Sequence, residues 1–167
     1  TQDFIDTVWS AYEKYQRTMP WRIPGDDGEF DPYHILVSEM MLQQTQVERV
    51  IPKYAAFIEQ FQTIESLAKA SLQDVLTAWS GLGYNRRAKY LHEAAQELQN
   101  SSFPQTVSEL PRLKGIGKNT AAAVLVYTYN QPLVFIETNI RTVYLEHFFT
   151  DQEKVHDNAI RDMLSQT

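Results

Sequence analysis

Residues 113–121 read Leu113-Lys114-Gly115-Ile116-Gly117-Lys118-Asn119-Thr120-Ala121, between a short helical segment and an apolar, alanine-rich one. Two glycines one residue apart permit a tight turn in which successive N–H groups and the start of the next helix point at one spot. A helix N-terminus carries unsatisfied donors and partial positive charge, so an anion such as a DNA phosphate fits there. Ile116 would anchor the turn in the core, and Lys114 and Lys118 would add attraction for phosphate. Small Ala121, Ala122 and Ala123 would let two helices approach closely. Read alone, the same residues also make an ordinary interhelical turn.

Working outward, the periodicity is helical almost everywhere, and no alternating pattern with hairpin turns marks a strand. The chain therefore reads as all-α. Helices are expected over about residues 3–15, 32–44, 47–61, 64–69, 72–79, 84–100, 106–111, 118–129, 139–149 and 152–165. Asp31 is the expected N-cap before Pro32, and Thr63, Ser71 and Thr106 are further caps. Gly81, Gly83, Pro104 and Pro132 break the pattern. Residues 131–137 form an extended connection. Short links between many short helices imply a compact bundle and a monomer.

With 167 residues, 43% of them hydrophobic, the chain can bury a sizeable core. It contains no cysteine, which excludes disulfides, a thiolate nucleophile and a cysteine-held cluster or zinc within these residues. His34, His92, His147 and His156 lie far apart without metal-ligand spacing, so no metal is expected. No apolar run is long enough for a membrane span and no signal-peptide pattern opens the chain, which gives the expectation of a soluble, cytoplasmic protein of bacterial type with no membrane partner. The net charge of −6 argues against nucleic-acid binding by bulk positive charge, so any such binding must rest on local clusters. Arg86, Arg87 and Lys89 form one cluster and Arg112, Lys114 and Lys118 another; a charge cluster by itself is usually a solvated face.

Two carboxylates stand in environments that push their pKa values apart. In Ser38-Glu39-Met40-Met41-Leu42 a helical projection sets Glu39 between Ile35, Leu36 and Leu42, where desolvation would keep it protonated near neutrality. A slightly rotated helix would instead leave it on the surface. In Ile136-Glu137-Thr138-Asn139-Ile140-Arg141 an extended apolar segment enters a helix at Glu137, and the helix N-terminus favours its ionised form. A first-turn glutamate placed only for helix stability is the alternative. An acid for the leaving group and a carboxylate for an oxocarbenium-like transition state are what glycosidic cleavage needs. Gln43, Gln44 and Gln46 add amides able to bond base edges.

These motifs resemble a known family. Met19-Pro20-Trp21-Arg22, Pro32-Tyr33 and residues 37–47 are similar to the first catalytic motif of MutY-type adenine DNA glycosylases. Trp79-Ser80-Gly81-Leu82-Gly83-Tyr84 with Arg87-Ala88 and Leu91-His92 resembles their second motif. Residues 113–121 resemble the helix-hairpin-helix signature of the wider endonuclease III-like superfamily. The likeness runs in order from about residue 4 to 149.

The resemblance implies a helix-hairpin-helix glycosylase fold with two helical lobes and an active site in the cleft between them. One lobe would be a central barrel over residues 23–132 and the other would combine 1–22 with 133–167. It implies excision of a mispaired base from double-stranded DNA, adenine opposite 8-oxoguanine or guanine. By match, Glu39 would protonate adenine and Glu137 would take the place of the catalytic aspartate. Gln43 and Gln44 would contact bases, with Gln44 probing the gap left by the flipped base. Leu82 and Tyr84 would wedge near the lesion's partner, Trp21 and Arg22 would line the base pocket, and Lys114, Gly115, Ile116, Gly117 and Lys118 would hold phosphate. Asn119 would be a further substrate-binding residue; it stands where endonuclease III relatives carry a Schiff-base lysine, and Lys118 points about 100° away, which disfavours lyase chemistry.

The sequence departs from the family in three ways. Glu137 replaces aspartate, and its extra methylene moves the carboxylate by about 1.5 Å. The cysteine cluster of many relatives and their domain for 8-oxoguanine are missing from these residues, and Asn85 replaces a commonly aromatic neighbour of Tyr84. Other readings are a thymine, uracil or oxidised-pyrimidine glycosylase of the same superfamily, or a non-catalytic helix-hairpin-helix module that binds DNA.

Overall fold

The structure, a computed structural model, describes residues 1–152 and 154–167. Its helices are α1 (Gln2–Tyr15), α2 (Pro32–Leu42), α3 (Val47–Gln60), α4 (Ile64–Lys69), α5 (Leu72–Ala78), α6 (Arg86–Leu98), α7 (Lys118–Tyr129), α8 (Thr138–Phe148) and α9 (Asp157–Leu164). A 3-10 turn covers Leu110–Arg112, and among the described residues there is no strand. The chain folds as two units: Thr1–Thr18 with Pro132–Thr167, and Met19–Gln131. The Met19–Gln131 unit begins before the expected boundary after residue 22, because Trp21 is buried there, edge-on to Tyr54 at 5.2 Å between ring centroids.

Helix α2 is the axis of that unit. Apolar on nearly every side, it can only be stable surrounded, and it packs against α3, α6 and α7. Its one fully buried polar side chain, Ser38, donates to the Ile35 carbonyl at 2.8 Å and so carries no unmet bond inward. The start is set as expected: Asp31 accepts the Tyr33 N–H at 2.8 Å and Pro32 occupies the first turn. Thr63 and Ser66 cap α4 reciprocally, and Ser71 caps α5. His92 of α6 donates from Nε2 to the Ala70 carbonyl at 3.0 Å, closing the C-terminal end of α4 on which α6 packs.

Some expected helices are shorter. In place of a helix over 106–111, Glu109 accepts from the Thr106 N–H and Oγ1 within a turn, and Leu110–Arg112 form only the short 3-10 turn, with Pro111 inside it. Helix α6 starts at Arg86 because Tyr84 is left-handed, at φ +48°. The helix expected over 152–165 is seen as α9, and position 153 lies outside the described residues.

The other unit has its own core of Phe4, Ile136, Tyr144, Val155 and Ile160. Phe4 meets the rings of Tyr144 and Phe148 at 5.3 and 4.8 Å, fastening α1 to α8. Arg141 of α8 donates to the Val155 carbonyl at 2.7 Å and pairs with Asp157 at the start of α9. No helix among the described residues is long and apolar enough to cross a membrane.

Candidate functional site

Within the Met19–Gln131 unit, the sequence motifs converge on the C-terminal end of α2. Glu39 is half-buried on this helix, beside fully buried Met40 and Met41. The helix ends at Leu42, and Gln43 turns back to the glycine hairpin. Its Nε2 donates to the Gly115 carbonyl and to Thr120 Oγ1, both at 3.3 Å. The Gln43 side chain thus joins the glutamate-bearing helix to the hairpin rather than standing out to meet a base. Gln44, the next residue, is exposed and left-handed at φ +55°. That conformation costs a non-glycine residue roughly 1–2 kcal/mol, so the surroundings must impose it.

The hairpin itself is Leu113–Gly117. Leu113 and Ile116 are buried, at 5% and 3% exposure, and the Ile116 N–H is spent on the Leu113 carbonyl at 3.3 Å. Gly115 takes φ +80°. Gly117 is the N-cap of α7 and no side chain caps the helix, so the donors aimed outward come from Gly117 and the first turn of α7 rather than from Ile116. Lys118 and Asn119 are exposed in that turn, and buried Ala121, Ala122 and Ala123 lie on the helix that packs on α2. Lys114 is exposed but paired with Glu93 of α6 at 3.3 Å.

A second turn, Gly81–Tyr84, reaches the same region. Gly81 and Gly83 adopt φ +91° and +74°, and Trp79, fully buried beneath, donates from Nε1 to the Gly83 carbonyl at 3.2 Å. Of the two residues expected to wedge into DNA, Tyr84 is 64% exposed and Leu82 only 2%. The Leu82 side chain belongs to the core and offers only its carbonyl to the site, which corrects the expectation of a surface wedge there. Of the two residues expected to line a base pocket, Trp21 is buried, whereas Arg22 is exposed and stacks on the Tyr127 ring at 3.5 Å.

The residue that sequence reasoning missed is Arg87. Grouped with Arg86 and Lys89 as surface charge, it is instead 7% exposed. Nη1 donates to the carbonyls of Met40, Met41 and Gln43, and Nη2 donates to Thr45 Oγ1 and to the carbonyls of Leu82 and Gly83. Burial lowers its pKa from the usual arginine value, an effect opposed by Tyr84, and the guanidinium stays charged.

In the other unit, Glu137 is the N-cap of α8, exposed and with no side-chain cap bond, directly after buried Ile136. Among the described residues no group of three or more His, Asp or Glu side chains is placed to hold a metal.

The sequence profile of the HhH-GPD superfamily of base excision DNA repair proteins matches residues 37–165. An adenine DNA glycosylase of Buchnera aphidicola subsp. Baizongia pistaciae is 38% identical over 149 residues, covering 87% of this chain and 41% of that protein. One from Mycolicibacterium smegmatis is 43% identical over 137 residues, covering 80% and 45% respectively. The chain thus spans about two fifths of the length of these curated relatives. Among solved structures, a thermostable thymine-DNA glycosylase superposes with a TM-score of 0.85 at 24% identity, over 99% of this chain and 76% of that one, a likeness of fold.

Proposed function

Because this chain belongs to the HhH-GPD superfamily of base excision DNA repair proteins, we propose that it is a monofunctional DNA N-glycosylase, acting as a monomer, that removes adenine mispaired with 8-oxoguanine or guanine from double-stranded DNA. The observation that carries this reading is the Gln43 bond to Gly115, which places the proposed acid, Glu39, on a helix tied directly to the proposed phosphate clamp. A clamp that registers the backbone and an acid that meets the base must be held in one frame if a flipped nucleotide is to react. The adenine preference rests on the names of the relatives, adenine DNA glycosylases at 38% and 43% identity.

In this mechanism the phosphate backbone sits on the donors of Gly117 and the first turn of α7, with Lys118 adding attraction. Tyr84 and Gln44, exposed at the tips of their turns, occupy the space around the flipped base. The N-glycosidic bond breaks with its electron pair going to the base, which takes the Glu39 proton. The carboxylate of Glu137 supports the sugar cation, water adds at the sugar carbon, and the proton it releases restores the acid. The residues present do not fit the cysteine-held cluster of many relatives, since they include no cysteine, and no step uses one.

The test is incubation with single-lesion duplexes carrying adenine opposite 8-oxoguanine or guanine, thymine or uracil opposite guanine, or an oxidised pyrimidine, followed by alkali to reveal abasic sites. Adenine excision is expected. Excision of another base would move the assignment within the superfamily, and mispair binding with no excision would make the chain a binding module.

A further inference from the structure

We infer that Arg87 is a positioning residue that locks two surface turns, Gln43–Gln46 and Gly81–Tyr84, into one frame so that Gln44 and Tyr84 address the same base pair. The functional half of this inference rests on the reading above; the structural half does not. Gln44 and Tyr84 are both exposed and both left-handed, at φ +55° and +48°. Non-glycine residues stay in that region only where neighbouring structure over-determines them. In each turn Arg87 bonds the residues next to the strained one. The Gln43 carbonyl and Thr45 Oγ1 flank Gln44, and the carbonyls of Leu82 and Gly83 precede Tyr84.

Only a guanidinium satisfies this pattern. Its two terminal nitrogens are fixed in one plane, so an Nη1 committed to α2 and the Gln43 carbonyl determines where Nη2 can meet the second turn. A lysine ammonium is a point donor on a flexible stem and cannot serve both turns at fixed separation. The charge has a use as well: α2 has no basic residue in its last turn, and Arg87 supplies positive charge to those carbonyls from α6. Among the described residues no carboxylate pairs with it, so α2 and the two turns are its counter-charge.

Two measurements on the 167-residue protein test this. The first is amide hydrogen exchange of the free protein with Arg87→Lys. Exchange should rise by about tenfold or more in both turns together, the scale of a lost coupled contact. Thr45→Ala, a smaller change, should raise exchange across the gap at Leu82–Tyr84 as well as locally, by about threefold, and it decides the matter if Arg87→Lys does not fold. Exchange that rises in one turn only, or in neither, overturns the inference. The second measures mispaired against matched duplex binding. Arg87→Lys should lose about tenfold in that ratio while matched-duplex affinity stays within about twofold, and the non-additivity between Gln44→Ala and Tyr84→Ala should vanish in the Arg87→Lys background. Retained discrimination or retained non-additivity overturns the coupling of the two tips. A wild-type protein that does not distinguish the duplexes instead defeats the functional reading, and the exchange measurement still decides the role of Arg87.

Discussion

The ring of Tyr90 occupies the space a side chain on Gly115 would need: a Cβ there would lie 2.5 Å from Tyr90 Cδ2 and 3.0 Å from its Cβ. The clash involves the near part of the ring, so Tyr90 cannot swing aside as a flexible chain end would. Gly115 also needs φ +80°, which alanine resists. Gly115→Ala should therefore destabilise the protein by about 2–4 kcal/mol through strain and overpacking together. A thermal melt followed by circular dichroism should show Tm falling by roughly 5–15 °C; an unchanged Tm would mean that the hairpin is not packed as described.

Gly117 behaves differently although it is one residue from the same turn. It has φ −77° and ψ 171°, which proline adopts, and a Cβ there meets nothing within 4 Å. Gly117→Ala should be close to neutral, whereas Gly117→Pro removes one outward N–H without straining the backbone of that residue. If that N–H serves a phosphate, Gly117→Pro should weaken binding to every duplex sequence by roughly tenfold or more, the scale of a hydrogen bond to a charged group. Fluorescence anisotropy on mispaired and matched duplexes checks this, and equal affinities for Gly117→Pro and wild type would reduce the turn to a connector.

The contrast between Gly115 and Gly117 marks what the sequence made legible. A Gly-x-Gly pair announces a turn, but which glycine is locked by a neighbour depends on Tyr90, contributed from another helix. Asp31-Pro32, Thr63 and Ser71 were readable because caps are local chemistry. Leu82 was misread because a motif resemblance carries over a residue type at a position, and not which way its side chain points in the turn of this chain, where Leu82 is buried and Tyr84 exposed. Arg87 was misread because arginine is usually solvated, yet Ala88, Leu91, Ala94, Ala95 and Leu98 of the same helix are all buried. Arg87 lies one turn before Leu91 on that face, a position that could have flagged it.

Glu93 holds Lys114 at 3.3 Å and Lys89 at 3.8 Å, so part of the positive charge beside the hairpin is already neutralised. Glu93→Gln should release it for phosphate. Stability should change little, since such pairs are worth about 0–1 kcal/mol. Duplex affinity at low salt should rise several-fold, and the slope of log affinity against log salt should steepen by about one unit for one added phosphate contact. If neither changes, Lys114 does not face the DNA.

Tyr33 and Tyr54 make a pH prediction. Burial, with Asp31 nearby, raises both phenols above the ordinary value of 10.0. Unfolding releases them to ordinary behaviour, so above pH 10 the unfolded chain binds fewer protons than the folded one and stability must fall as pH rises. Denaturant melts should therefore show stability flat between about pH 7 and 9.5 and falling from about pH 10 upward. The two hydroxyls should differ on removal. Tyr33 donates to the Phe61 carbonyl at 2.7 Å, so Tyr33→Phe should cost about 1–2 kcal/mol near neutral pH. Among the described residues Tyr54 Oη has no such partner, so Tyr54→Phe should be neutral or slightly stabilising. Both substitutions should soften the alkaline fall, and a fall unchanged in the double variant would place its origin elsewhere.

The two carboxylates proposed for catalysis separate the enzyme from the binding module. Glu39→Gln keeps shape but cannot deliver a proton, so single-turnover excision should drop by about 10²–10⁴-fold while duplex affinity survives. Glu137→Gln removes the charge that offsets the sugar cation and should cost about 10²–10³-fold. Glu137→Asp should act in the opposite direction. Glu137 is an exposed N-cap whose side chain makes no cap bond, because glutamate is too long to fold back onto the first-turn N–H groups. Aspartate is among the best N-caps and should stabilise α8 by about 0.5–1 kcal/mol. It also restores the residue type of the related glycosylases, so excision should speed up as the melting temperature rises. A stabilised but slower Glu137→Asp protein would mean that the longer side chain is needed to reach the sugar. A wild-type protein that excises no base, or a Glu39→Gln protein as fast as wild type, would end the catalytic assignment.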